Sequence, residues 1–293
     1  MRSSNMLIGL QSKIQRTLIH IGKSYMESRS IILGSSGFIG SHLLKMKNSV
    51  GIERSSMDLL NVDKLPIEVK STDTLIYAAG IPRSKSNELS DKENNIKMIK
   101  NLIGSLRNKK LKKIIFLSSV EVYGTKPVLP INEETPLDPD NKYAEGKIVA
   151  EELLRDSGHE LCILRLPGIF GNRSSGGFLK VVMNRYLNKQ PLRLENKGKT
   201  LRDFIFVEDL VRVIQQIIDE NLPVSLLNIA SGNSYSLLEY ANLMEVQDIE
   251  LLNSSEGQFD LVFDNRKLLT ELPKFEFSNL TSSFNVLKAA ANG

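Results

Sequence analysis

The sequence predicts an α/β fold: a doubly wound parallel sheet with a smaller, discontinuous C-terminal lobe. Three observations carry that expectation. Short runs of β-branched and other apolar residues alternate with stretches of helical periodicity, as in strands joined by crossover helices. Several of those runs are apolar throughout rather than alternating, which suits a sheet covered on both faces. A glycine-spaced turn separates the first strand from the first helix. The 293 residues are 41% hydrophobic and 25% charged, a globular composition with enough chain for a sizeable core.

Charge and cysteine usage exclude several classes. The net charge of +4 comes from 38 Lys+Arg against 34 Asp+Glu, and four of the basic residues (Arg2, Lys13, Arg16 and Lys23) lie in an acid-free stretch, 1–26. The remaining body is therefore neutral, and its charges alternate in sign, so no nucleic-acid stripe is expected. Within 1–26, Leu7, Leu10, Ile14, Leu18 and Ile21 recur at helical spacing, giving a basic amphipathic leader. Translation from Met26 is the preferred reading, and a transit peptide or a membrane-surface helix are the alternatives. No apolar run approaches the roughly 20 residues of a membrane span. Cys162 is alone and the three histidines, His20, His42 and His159, are scattered. A disulfide framework is excluded, no metal site is expected, and a reducing, cytoplasmic setting fits.

The elements follow in order. Ser30–Leu33 reads as a buried strand, and Gly34, Gly37 and Gly40 then form a GxxGxxG turn leading into a helical stretch, Ser41–Met46. The first glycine permits a tight turn, the second lets backbone approach a pyrophosphate, and the third lets helix and strand pack closely. Ser36, Phe38 and Ile39 join these glycines as candidate dinucleotide contacts in a Rossmann-type arrangement. A second strand, Val50–Ile52, ends at Glu53 and Arg54. Glu53 lies 19 positions after Gly34, close to the roughly 20 expected of an acid on the adenosine ribose. Arg54 instead suits a 2′-phosphate, so both NAD and NADP fit. Asp58 and Leu59 fall where the adenine would be met. A third strand, Thr74–Tyr77, ends in Ala78, Ala79 and Gly80, small residues that leave room for a ligand. An apolar-faced helix carrying Asn95, a strand at Lys113–Leu117 and another at Leu161–Leu166 complete the alternation.

Two segments carry chemistry. "LSSVEVYG" places Ser118, Ser119 and Glu121 just beyond a strand. "KYAEGKIVAEELL" puts Tyr143 and Lys147 at i and i+4 on one helix face, where an ammonium favours phenolate and lowers the tyrosine pKa toward the range of a general acid/base.

Taken together these motifs resemble the extended short-chain dehydrogenases/reductases of the nucleotide-sugar epimerase/dehydratase type, from about Ser30 to Leu269. "GSSGFIG" resembles the family's glycine fingerprint, "SSVEVYG" its Ser/Thr-x-x-Val-Tyr-Gly signature, and "YAEGK" its Tyr-x-x-x-Lys. Asn95, "LRDFIFVEDL" and "LNIASG" resemble three further segments. The resemblance implies NAD or NADP as cofactor and a nucleotide-diphosphate sugar as substrate. Tyr143 would act as acid/base, Lys147 would bind the nicotinamide ribose, and Ser119 would hydrogen-bond the reacting oxygen. Ser118 and Leu166 would join the cofactor contacts; Arg83, Phe178, Lys180 and Arg202 would meet the substrate, Arg202 at its diphosphate. Glu121 is read equally as a base beside a C5 proton and as a solvent-facing residue. The family also implies a homodimer, through helices around 93–107 and 143–155.

Two departures bear on the reaction. Gly168 stands where C4 epimerases of the family carry an Asn, a feature shared with 4-keto-sugar reductases, and Ser254 stands where a second diphosphate-binding Arg is usual. An NAD(P)-dependent epimerase or dehydratase is the first reading, an NADPH-dependent 4-keto-6-deoxy-sugar reductase the second, and a non-catalytic dinucleotide-binding scaffold the third. The cofactor domain is expected at 27–167 with 203–231 returning to it. The substrate lobe is expected at 168–202 and 232–293, with Gly171, Gly176 and Gly177 in a lid ahead of a helix beginning at Phe178.

Overall fold

A computed structural model describes residues 28–83, 88–174, 176–254 and 256–292; the leader expected over 1–26 lies outside them. Six parallel strands form the central sheet: β1 (Ser30–Leu33), β2 (Ser49–Ile52), β3 (Thr74–Tyr77), β4 (Lys113–Ser119), β5 (Leu161–Leu166) and β10 (Leu226–Asn228). Their order is β10-β5-β4-β3-β1-β2, so the winding reverses between β1 and β3. In open α/β sheets that reversal opens a crevice at the carboxyl ends of the strands, where ligands bind.

Burial on both faces explains the apolar strands. Ile32, Ile76, Ile115 and Leu164 point to one side, against Leu210, Val213, Ile214 and Ile217 of α5 (Val207–Asp219). Ile31, Leu33, Leu75, Phe116 and Ile163 point to the other, against Ile99 and Leu102 of α2 (Leu89–Ser105) and Ala150 and Leu154 of α3 (Lys142–Arg155). Successive strand residues alternate between these cores, as a pleated strand requires. At the amino edge, Arg29 forks onto Asp73 at 3.0 Å and joins the starts of β1 and β3.

A third core lies beyond the sheet. Phe170, Leu179, Val182, Leu192, Tyr240, Met244 and Phe284 pack together. They come from β6 (Gly168–Phe170), α4 (Phe178–Leu187), β7 (Leu192–Leu194), α6 (Leu237–Leu243) and α8 (Leu280–Asn292). Three two-stranded pairs tie this region: β6 with β9 (Phe204–Phe206), β7 with β12 (Ile249–Leu251), and β8 (Leu201–Arg202) with β11 (Tyr235–Ser236). A short helix, α7 (Arg266–Glu271), packs Leu268 and Leu272 into the first core.

The first helix differs from expectation. Helical periodicity placed it at Ser41–Met46, whereas α1 runs Phe38–Leu43 and takes in the third glycine. It begins directly after Gly37 because nothing bulkier fits against the turn: a Cβ on Gly40 would stand 2.1 Å from the Gly34 carbonyl oxygen. β4 runs two residues past its expected end, to Ser119, because its pairing with β5 continues to Leu166.

Candidate active site

At the switch point the first turn and the end of β3 touch. Gly34 has φ +84°, and a Cβ there would lie 2.8 Å from Ala79 Cα, so only glycine lets the two loops meet. Ser36 and Gly37 are exposed at the turn, Phe38 and Ile39 half-buried behind it. Asn95 staples the next loop: its Oδ1 accepts from the Ile81 N–H at 2.8 Å and its Nδ2 donates to the Ile81 carbonyl at 3.1 Å. That holds Ala78, Ala79 and Gly80 beneath the crevice.

One crevice gathers Tyr77, Ala79, Asn95, Phe116, Tyr143 and Lys147. α3 delivers the last two because Asn141 caps it, its Oδ1 accepting from the Ala144 N–H at 2.9 Å. Asn141 was not among the expected site residues, although an Asn directly before a helical run is a recognisable cap. The same side chain donates from Nδ2 to Glu121 Oε2 at 2.9 Å, and Arg83 donates to that oxygen at 2.8 Å. Glu121 is therefore held by two donors while its side chain stays 29% exposed, and its charge reaches Tyr143.

Ser119 hydrogen-bonds the Tyr143 side chain. Lys147 stands with Nζ 5.6 Å from the Tyr143 ring centre and donates to the Leu117 carbonyl at 2.7 Å. The electrostatics differ from the expectation that the ammonium lowers the phenol pKa. Burial pushes Tyr143 up, Glu121 pushes the same way, and only the Ser119 bond opposes them. Burial likewise lowers Lys147 to about 8, with Glu151 opposing. Burial is the leading effect on both groups, and the Lys147 ammonium donates one of its hydrogens to a carbonyl of β4. Both side chains keep some surface in the open crevice, so solvent screens part of each effect.

The other expected residues are less gathered. Glu53 and Arg54 are exposed at the end of β2; Asp58 accepts from the Leu60 N–H at 3.1 Å and Asn61 at 2.8 Å, which lowers its pKa. Leu59 is buried in the sheet core and Leu166 closes the end of β5. Ser118 turns inward and donates to Glu151 at 2.6 Å. Phe178 stacks on Phe204 at 6.0 Å, and Lys180 is exposed on α4. Arg202 is engaged by its own chain: its Nη1 donates to the Leu201 and Phe259 carbonyls and its guanidinium lies 4.7 Å from the Phe259 ring. Gly168 has a packing reason of its own, since a Cβ there would lie 2.4 Å from the Phe204 ring. Among the described residues no trio of His, Cys, Asp or Glu is arranged to hold a metal, and no helix is long and apolar enough to cross a membrane.

The profile of the NAD dependent epimerase/dehydratase family matches residues 30–230. The chain belongs to this family. Among curated members of this epimerase/dehydratase group it is similar to a putative UDP-glucose 4-epimerase of Methanocaldococcus jannaschii, 25% identical over 248 residues, covering 73% of this chain and 81% of the relative. It is also similar to UDP-glucuronic acid decarboxylase 1 of Danio rerio, 30% identical over 258 residues; that match covers 74% of this chain and 60% of the relative. The fold is that of the UDP-glucuronic acid 4-epimerase of Bacillus cereus, solved with UDP-glucuronic acid and NAD. The TM-score is 0.75 at 21% identity, over 89% of this chain and 99% of that one. It is equally that of RMD from Pseudomonas aeruginosa complexed with NADPH, with TM-score 0.75 at 20% identity over 90% of this chain and all of that one.

Proposed function

We propose that this member of the epimerase/dehydratase family is an NAD- or NADP-dependent enzyme acting on a nucleotide-diphosphate sugar, with hydride transfer at C4 and Tyr143 as acid/base. One observation carries the reading: Tyr143 and Lys147 share a crevice with Ala79 and Asn95 at the sheet's switch point, and Ser119 bonds the Tyr143 side chain.

The glycine turn fits a dinucleotide. A Cβ on Gly37 would meet a single atom, the Gly34 carbonyl oxygen at 3.2 Å, and otherwise open space. Backbone at that position is thus approachable, and the first N–H groups of α1 are those a helix leaves without internal partners. Glu53, at the end of β2, suits the ribose hydroxyls. When bound, the nicotinamide supplies the acceptor and later the donor of hydride. The chain's own residues do the rest. Ser119 holds the sugar's C4 oxygen beside Tyr143, whose phenolate form takes the hydroxyl proton as the carbon is oxidised and, as the phenol, returns it on reduction, and Lys147 orients the nicotinamide ribose from the same helix face.

Epimerisation is favoured over net reduction because Gly168, the feature shared with reductases, is accounted for by the Phe204 ring. Glu121 supports a second reading, dehydration, since its carboxylate is fixed beside Tyr143 by Asn141 and Arg83. The test is mass spectrometry of the nucleotide that co-purifies, followed by turnover of UDP-, GDP-, dTDP- and CDP-sugars. The expected result is bound dinucleotide and an inverted sugar with no added cofactor. Solvent deuterium entering at C5 with loss of water would favour dehydration. Stoichiometric consumption of added NADPH, or dinucleotide binding without turnover of any sugar, would overturn the epimerase reading.

A further inference from the structure

Three successive residues at the end of β4 are each held by α3, and their partners stand four residues apart. Tyr143 bonds Ser119. Lys147 donates to the Leu117 carbonyl at 2.7 Å, and Ser118 donates to Glu151 Oε1 at 2.6 Å. Positions 143, 147 and 151 share one helix face because the helix repeats every 3.6 residues. The first two rungs are the proposed catalytic side chains; the third, Glu151, has no part in the chemistry described so far.

Glu151 is fully buried, at 0% exposure, where a carboxylate is almost never found unpaired. Arg165 of β5 answers it with Nε at 3.1 Å from Oε1 and Nη2 at 2.7 Å from Oε2, and Arg155 adds a bond at 3.1 Å. Arg165 Nη1 then donates to the Tyr123 hydroxyl at 2.9 Å, which donates to Asn228 Oδ1 at 2.8 Å. A buried pair of this kind adds little stability over well-packed apolar residues, because desolvation offsets the attraction. What it does add is a fixed geometry and a fixed charge.

We infer that Glu151 is a positioning residue for Ser119, Tyr143 and Lys147: it sets the end of β4 through Ser118 and fixes a buried negative charge one helical turn from Lys147. The inference rests on the proposed function only in treating those three side chains as the reacting set. Lys147 faces Tyr143 and Glu151 on its own helix, the Phe116 ring and Leu117 carbonyl of β4, and Tyr77 of β3 across the crevice. Glu121 acts on the neighbouring phenol, and Arg165 and Arg155 act on Glu151. Burial depresses Lys147 and Glu151 opposes it. Removing that charge leaves desolvation unopposed, so the lysine loses its proton at lower pH.

The test uses the whole chain with 15N-labelled lysine. The Lys147 side chain is titrated by NMR without substrate, and kcat is followed against pH. In Glu151→Gln the Lys147 midpoint and the alkaline limb of kcat should both move down by about one pH unit. Ser118→Ala keeps the charge and should lower kcat with the limb unmoved. Should Glu151→Gln fail to fold, the double variant Glu151→Gln/Arg165→Gln removes both charges together, and its Lys147 midpoint should again fall, by less than in the single variant because the lost Arg165 cation opposed Glu151. A folded variant lacking the Glu151 charge with an unmoved Lys147 midpoint overturns the inference, and so does a Ser118→Ala enzyme with wild-type kcat. Because the titration needs no substrate, a chain that turned over no nucleotide sugar would sink the proposed function and leave this measurement standing.

Discussion

The glycine turn separates two roles that one motif combines, and two alanine substitutions pull them apart. A Cβ at Gly40 would stand 2.1 Å from the Gly34 oxygen, 2.8 Å from Gly34 carbon and 2.9 Å from Ser35 Cα, all backbone atoms. Ordinary contact begins near 3.4 Å, so α1 would have to retreat by about 1.3 Å, the difference between 3.4 and 2.1. Overpacking of this kind costs about 1–3 kcal/mol. Gly37 differs in both respects. Its φ of −71° and ψ of 171° suit any residue, and its only close neighbour would be 3.2 Å away. Gly37→Ala should therefore change folding stability by less than about 0.5 kcal/mol. Its methyl group would instead occupy the approach to the turn and weaken dinucleotide binding by tenfold or more, about 1.4 kcal/mol. Urea unfolding and calorimetric titration with NAD and NADP, run on both variants, measure the two quantities separately. A Gly37→Ala protein that binds dinucleotide like wild type refutes the placement of the pyrophosphate. One that unfolds as readily as Gly40→Ala refutes the division of labour.

Three further outcomes are expected. Tyr143→Phe should lower kcat by about 10²–10⁴-fold while dinucleotide affinity stays within about twofold, and near-wild-type turnover would remove the phenol from the chemistry. Glu53→Gln should raise affinity for NADP relative to NAD by about tenfold, because a carboxylate at the end of β2 repels a 2′-phosphate; an unchanged ratio in competition binding would place the ribose elsewhere. Arg202→Lys keeps the charge but loses the planar fork, so KM for the nucleotide sugar should rise several-fold with kcat little altered; an unchanged KM would leave Arg202 to its contacts with Leu201 and Phe259.

The central sheet was readable because its signals are local. Ser30–Leu33, Thr74–Tyr77 and Leu161–Leu166 occupy their expected bounds, since an apolar run flanked by turn residues marks a doubly covered strand without help from distant chain. The first helix was misplaced for the complementary reason. Periodicity sees side chains, and Gly37 and Gly40 offer none, so what starts α1 at Phe38 is the space the glycines leave against Gly34. The short strands beyond the sheet were equally hidden. β8 and β11 are two residues each, and pairing partners over 30 residues apart stabilise them rather than any pattern of their own.

The site divides along the same line. Tyr143 and Lys147 were found by an i, i+4 spacing that a helix converts directly into shared position. Their electrostatics were not, because the charges that matter arrive from elsewhere in sequence. Glu121 reaches the phenol only because Asn141 and Arg83 hold it there, and Lys147 spends its proton on a carbonyl 30 residues away. The energetic balance at Tyr143 is thus a tertiary property. Burial and Glu121 raise it, Ser119 lowers it, and the sequence spacing fixes only which side chains are near enough to take part. Glu151 makes the same point from the other side: helical spacing puts it, and not Glu152, on the face of Tyr143 and Lys147, yet spacing alone does not say what that face meets. Only the Arg165 fork and the Ser118 hydroxyl, brought by β5 and β4, make the first a buried anion and leave the second on the surface.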